Sequence, residues 1–320
     1  MKIGLVACFI GDLPGYYPYF LLTANNNPSI DFFIINDQLT ENKHDKNIHF
    51  VKMNLKDIED KVSLKLGRTF TIHNSWKLND YKPSIGLVFE DLLKEFDYWG
   101  WCDLDIIWGN LTNFLSEEKL KNIDVFSTKE NWTAGHFTLF RNDRKINQLF
   151  LQNPQVYDML NSEIYYAFEE CCHRWDGKFR LIDELVSEGK MVSMFDIVQN
   201  AMHNGSISAK FGEEIREYPD KINYAYSNGK LIDLSDGKEL MYYHLITVKK
   251  IWRFFIPLLK PGTEELYISP FGIRSNFDSG FLGKGIWFYR RLRYCIKGIK
   301  KSFVREGVLS ILKRKVGFGE

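Results

Sequence analysis

Cysteine is scarce: Cys8, Cys102, Cys171, Cys172 and Cys295 are the five in 320 residues, an odd set without metal-site spacing. That suits a reducing compartment, the cytoplasm, better than a disulfide framework. In that compartment the three Asn-x-Ser/Thr sequons at Asn110, Asn131 and Asn204 have no glycosylation meaning. No uninterrupted apolar run approaches the roughly 20 residues of a membrane-spanning helix. The apolar opening "IGLVACFIG" lacks a strongly basic start and a small-residue cleavage site, and Asp12 and Pro14 follow at once, so it reads as a first strand. Internal repeats and low-complexity linkers are absent, and nothing in the chain speaks for nucleic-acid binding. Net charge is nearly absent too, at +1.

What remains is a composition of 45% hydrophobic and 26% charged residues, that of a globular chain able to bury a substantial core. "KIGLVACFIG" and "IDFFIIND" read as buried strands, with a helix in "YYPYFLLTANNNP" between them. "IHFVKMNL" is a further strand, and "SIGLVFEDLLKEF" has helical spacing. "IDVFSTKENWTAGHFTLFRND" reads as two strands around a glycine loop, "VYDMLNSEIYYAFEECCHRW" as a helix, and "ELMYYHLITVKKIW" as a strand end followed by two lysines. The pattern predicts α/β architecture with a mainly parallel sheet flanked by helices. We expect one domain over 1–270 and a basic extension over 271–320. Ligands of such sheets gather at the carboxyl ends of strands, where Asn36-Asp37 and Asp103-Leu104-Asp105 fall.

"YWGWCDLDIIWGN" sets Asp103 and Asp105 one residue apart in an apolar run. Like charges removed from water need a cation or a shared proton. On an extended segment both carboxylates face one side, the geometry of a metal clamp. A strand end whose aspartates are solvated or cap the next turn reads the same way. An aspartyl-phosphate phosphatase also carries Asp-x-Asp, but at the end of its first strand, whereas about 100 residues precede it here.

The ordered segments "ACFIGDLPGYYPYFLLTANNNPSIDFFIINDQ", "WKLNDYKPSIG", "YWGWCDLDIIWGNL", "AGHFTLFRN" and "YYHL" resemble metal-dependent glycosyltransferases of the GT-A (Rossmann-related) fold, and more closely a glycosyltransferase family of bacterial polysaccharide gene clusters. The resemblance runs from residue 3 to about 245. It implies a nucleoside-diphosphate sugar donor, UDP-linked, and a hydroxyl acceptor on a surface glycan such as capsule, O-antigen or lipooligosaccharide. It implies that Asp103 contacts ribose or metal, that Asp105 ligates Mn²⁺ or Mg²⁺, and that His244 is a third ligand, against the alternative of a histidine satisfied at a strand end. Lys249 or Lys250 then meets phosphate, while Ala7, Phe9, Asn36 and Asp37 face nucleobase and ribose unless they are ordinary turn residues. Lys77 and Asp80, with Lys82 beside them, fall where the family has donor-site residues. Gly135 and His136 form the wall towards the acceptor. Glu169 and Glu170 replace an Asp-Glu pair, so that one binds the acceptor hydroxyl or acts as base, unless both lie on a solvated helix face. The related fold leans towards retention of anomeric configuration. A non-catalytic glycan-binding or scaffold protein is the competing class.

Residues 281–320 hold 11 Lys and Arg against two acids, leaving 31 against 39 in residues 1–280. Trp287, Phe288, Leu292, Ile296, Ile299 and Phe303 alternate with arginines and lysines at helical spacing. We expect a helix lying in an anionic membrane interface, on the inner face of the cell membrane and beside a lipid-linked acceptor. The alternative is a basic helix packed on the acidic domain.

Overall fold

A computed structural model describes residues 1–38, 46–175, 179–181, 192–217, 223–251, 253–278 and 280–297. The tail positions named above beyond residue 297, among them Ile299 and Phe303, lie outside the described residues. In chain order the first strands are β1 (Ile3–Cys8), β2 (Ile30–Asn36), β3 (Ile48–Lys52), β4 (Tyr98–Cys102), β5 (Ile106–Trp108), β6 (Val125–Ser127) and β7 (Phe137–Arg141). All but β5 join Ala209–Phe211 in one sheet, ordered 209–211, β6, β7, β4, β1, β2, β3. Only β7 runs against its neighbours, so the expected mixed α/β class with a mostly parallel sheet and flanking helices is present.

Alternation along β4 explains its composition. Trp99 and Trp101 enter the core on one face with Val6 and Phe140, and Tyr98 and Cys102 enter the other with Leu5 and Ala7. β1 is buried on both faces and is therefore apolar throughout. Helix α1 (Tyr17–Asn25) covers one face and α2 (Leu55–Leu66) the other; α2 begins in a capping box of Asn54 and Asp57 and ends at Gly67 in the left-handed region. The chain leaves β1 towards β2 and β3 and later returns to β4 on β1's other side. The crevice between the carboxyl ends of β1 and β4 is thus a topological switch point, the place where such sheets bind ligands.

Two expected helices differ. "SIGLVFEDLLKEF" forms two single turns, Ile85–Val88 and Glu90–Leu93, broken where Phe89 leaves helical geometry (φ −110°, ψ 29°). The helix beginning at Val156 stops at Asn161. Beyond it the backbone N–H groups of Tyr166 and Phe168 donate to the Asp80 carboxylate, and Ala167 and Cys172 take positive φ. A buried acceptor therefore competes successfully with helical hydrogen bonding. Glu169 and Glu170 consequently sit in a turn, not on a solvated helix face.

The second half also builds a five-stranded antiparallel sheet within residues 224–275, with Asn228 and Gly229 both at positive φ in its first hairpin. Its last hairpin pairs Leu266–Ser269 with Gly272–Ser275, which joins residues 271–275 to this sheet and not to the extension. Residues 281–297 are helical and dock through Trp287, whose Nε1 donates to Ile273 O at 2.8 Å. No helix among the described residues is long and apolar enough to cross a membrane.

Candidate active site

β4 delivers Asp103 to the switch point, and three residues later the chain starts β5. That short strand leaves the main sheet and pairs antiparallel with Tyr242–His244, with His244 opposite Ile106. Leu245 N donates to Asp105 O at 2.8 Å, which fixes the register at the site itself. His244 Nε2 consequently lies 3.3 Å from Asp105 Oδ1, buried and without a hydrogen bond of proper geometry. Asp103, Asp105 and His244 each present a ligand atom within 4.8 Å of the others. Two carboxylates and an imidazole with an orphaned nitrogen fit Mn²⁺ or Mg²⁺ when phosphate oxygens and water complete the shell.

Two lysines attend the aspartates. Lys249 Nζ donates to Asp105 Oδ2 at 2.5 Å and lies over the Tyr16 ring; Lys82 Nζ donates to Asp103 Oδ1 at 2.7 Å and to Gly135 O at 2.6 Å. Burial alone raises the pKa of Asp105, but His244 and Lys249 outweigh it and hold this carboxyl far below the usual range. Burial likewise lowers His244, yet Asp105 and Glu217 overcome that and bring it up to about 9. Burial lowers Lys82, but Asp103, Glu169 and Glu170 together outweigh it and raise this ammonium above its usual range.

A second carboxylate pair stands across Lys82. Gly135 N donates to Glu170 Oε1 at 3.0 Å, and a Cβ at Gly135 would lie 2.6 Å from that oxygen, so the contact requires glycine. Glu169 Oε1 accepts from Tyr165 Oη at 2.7 Å, while its Oε2 is buried without a partner. Desolvation pushes Glu169 up to about 8 and Glu170 up to about 7, with Lys82 opposing the shift in both. Both groups thus titrate where general acids and bases operate.

The sequence profile of a family of unknown function, DUF6625, matches residues 5–274. The chain belongs to that family. No curated protein sequence matches it. Among solved structures it is similar to mouse xyloside xylosyltransferase 1 in its apo form, at 10% identity over 78% of this chain and 100% of that one, with a TM-score of 0.44. It is also similar to galactosyltransferase LgtC in complex with donor and acceptor sugar analogs, at 12% identity over 68% of this chain and 76% of that one, with a TM-score of 0.34. Both are glycosyltransferases; likeness at this level assigns no activity to the DUF6625 chain.

Of the residues singled out from sequence, this DUF6625 member brings Asp103, Asp105, His244, Lys249, Gly135 and Glu170 to the switch point, with Glu169 buried behind Tyr165. Lys77 and Asp80 differ from expectation. Both side chains are fully buried, and Lys77 Nζ bonds Asp80 Oδ2 at 2.7 Å and the carbonyls of Met159 and Ile164. With no polar atom left to offer a donor, they instead tie residues 77–80 to the turn carrying Glu169 and Glu170. Asn36 donates to Phe9 O and Gly11 O, and Asp37 accepts from Gly11 N, so this pair braces the loop after β1. Ala7 is core, Phe9 is half-buried, and Lys250 is exposed. His136 is 4% exposed and stacks on His244 at 4.2 Å; burial drives its pKa well down, and no face of it is open to an acceptor hydroxyl. Lys82, beside Lys77 and Asp80 in the sequence, is the member of that segment that reaches Asp103. Glu217 has no motif or spacing to betray it.

Proposed function

We propose that this protein is a metal-dependent glycosyltransferase that moves a sugar from a UDP-linked donor to a hydroxyl of a bacterial surface glycan or its lipid-linked precursor. The observation that carries this reading is the convergence of Asp103, Asp105 and His244 with two lysines at the switch point. A divalent cation bound there would offset charge on the departing diphosphate. Lys249, lying on Asp105, supplies a further point charge for phosphate. Lys82 holds Asp103 and, through Gly135, fixes the wall against which Glu170 rests. Glu170, with a pKa near neutrality, is the group to orient or deprotonate the acceptor hydroxyl, and Glu169 adjusts its charge from behind. Anomeric coupling of the fresh product in proton NMR distinguishes retention, our working assignment, from inversion.

Titration calorimetry with UDP is the direct check. The expected result is binding at least tenfold tighter with Mn²⁺ than with EDTA. Absence of UDP binding while another nucleotide binds tightly would move the donor assignment, and absence of any nucleotide binding would remove the enzyme reading.

The helix over 281–297 extends the proposal to the inner membrane face. Phe281, Leu282, Phe288 and Leu292 are exposed on it alongside Arg290 and Arg293. Each basic residue near an anionic surface contributes about 1 kcal/mol. Reversing two charges in Arg290→Glu/Arg293→Glu is therefore expected to weaken co-sedimentation with phosphatidylserine vesicles at least tenfold, without affecting neutral vesicles. Equal pelleting of variant and wild type would show that the helix packs elsewhere.

A further inference from the structure

We propose that Glu217 is the positioning residue that aims His244 at the cation site, with Lys129 fixing the carboxylate from its far side. The proposal rests on the reading of Asp103, Asp105 and His244 as cation ligands, and nothing in the sequence pointed to it.

Histidine binds a metal through an unprotonated ring nitrogen, and which nitrogen is bare depends on where the other sends its proton. His244 Nε2 faces Asp105, while Nδ1 lies 3.0 Å from Glu217 Oε1. A carboxylate accepting from Nδ1 keeps the proton there and presents Nε2 to the site. Glu217 is itself held: Oε1 also lies 3.4 Å from His136 Nδ1, and Oε2 pairs with Lys129. Only 8% of the residue is exposed, so a carboxylate there needs these partners to be tolerated at all.

The backbone explains why the three groups meet. Ile215–Arg216 pairs parallel with Tyr242–His244, which pairs antiparallel with β5. One three-stranded sheet thus places Glu217 just after its first strand, His244 at the end of the second and Asp105 just before the third, in fixed register. The His136 ring, stacked on His244 at 4.2 Å and 29°, blocks rotation about the imidazole axis. A flipped ring would put carbon where each nitrogen now stands and lose both contacts.

The test separates orientation from bulk structure by linkage. UDP affinity is measured by calorimetry in EDTA and in Mn²⁺ for wild type, Glu217→Gln, and Glu217→Gln/Lys129→Met, the last removing both charges so that no half-buried lysine is left unpaired. Loss of an outer partner to a ligating histidine costs on the order of 10–100-fold in metal affinity. We expect both variants to keep wild-type UDP affinity in EDTA and to lose at least tenfold of the Mn²⁺-dependent increment. In Mg²⁺-loaded wild type, ¹⁵N NMR should find the His244 proton on Nδ1. A full Mn²⁺ increment in either folded variant, or a proton on Nε2, overturns the assignment. Equal weakening in EDTA and Mn²⁺ reduces Glu217 to a purely structural residue and also overturns it. Wild type without any Mn²⁺ increment brings down the cation reading itself, a result distinct from failure of Glu217 alone.

Discussion

Asp105→Asn is expected to abolish Mn²⁺-dependent UDP binding, by at least 100-fold in calorimetry, and to take sugar transfer below 1% of wild type by coupled assay. The substitution preserves volume and removes one ligand charge at a side chain that is 4% exposed. Asp105 contributes through both oxygens, Oδ1 towards His244 and Oδ2 on Lys249, so an amide loses one acceptor and turns a donor towards a cation or an imidazole nitrogen. Backbone pairing at the site uses Asp105 O, not its side chain, and survives the change. A folded Asn variant with full Mn²⁺-dependent turnover would sink the clamp. Asp103→Asn should be slightly milder, because Asp103 is about one-third exposed and solvent can compensate for part of the loss.

The largest loss of stability is expected at Asp80→Ala. The variant leaves the Lys77 ammonium at zero side-chain exposure without its counter-ion and strips the acceptor from the N–H groups of Tyr166 and Phe168. Breaking a buried pair from one side costs about 3–5 kcal/mol. Urea denaturation should show a fall in midpoint with little change in m. Lys77→Met/Asp80→Asn, which removes both charges and keeps an acceptor for the two amides, should recover more than half of the loss. A single-variant loss under about 1 kcal/mol, or no recovery in the double variant, would show that this pair does not hold the segment. Because the same contacts shape the turn before Glu169 and Glu170, catalysis in Asp80→Ala should fall further than stability alone explains.

The strands that flank the switch point were legible in the sequence because they are buried apolar runs bounded by polar turns, as in "IDFFIIND" and "YWGWC". Asp103 and Asp105 were legible for the opposite reason, a pair of charges where burial forbids them unless they are compensated. His244 followed only from the family resemblance, for a lone histidine at a strand end has no signature of its own. The segment after Asn161 was misread as a helix because its apolar spacing is helical; the acceptor that unwinds it, Asp80, lies far away in sequence. Lys77 and Asp80 carry donor-like chemistry in the one-letter code, and only burial shows that each satisfies the other. Glu217 was invisible because its meaning lies entirely in what it touches.

The pairing of β5 with Tyr242–His244 ties the two halves of the proposed cation site to segments roughly 140 residues apart, and at roughly 5–20 residues per second Asp105 leaves the ribosome on the order of ten seconds before its imidazole partner. Until then β5, buried on every residue in the finished protein, is a naked apolar edge. A nascent or prematurely terminated chain ending before residue 242 therefore lacks His244 and the strand that pairs with β5. On the proposed reading such a product could not hold the cation, and its bare edge is a template for pairing with another chain.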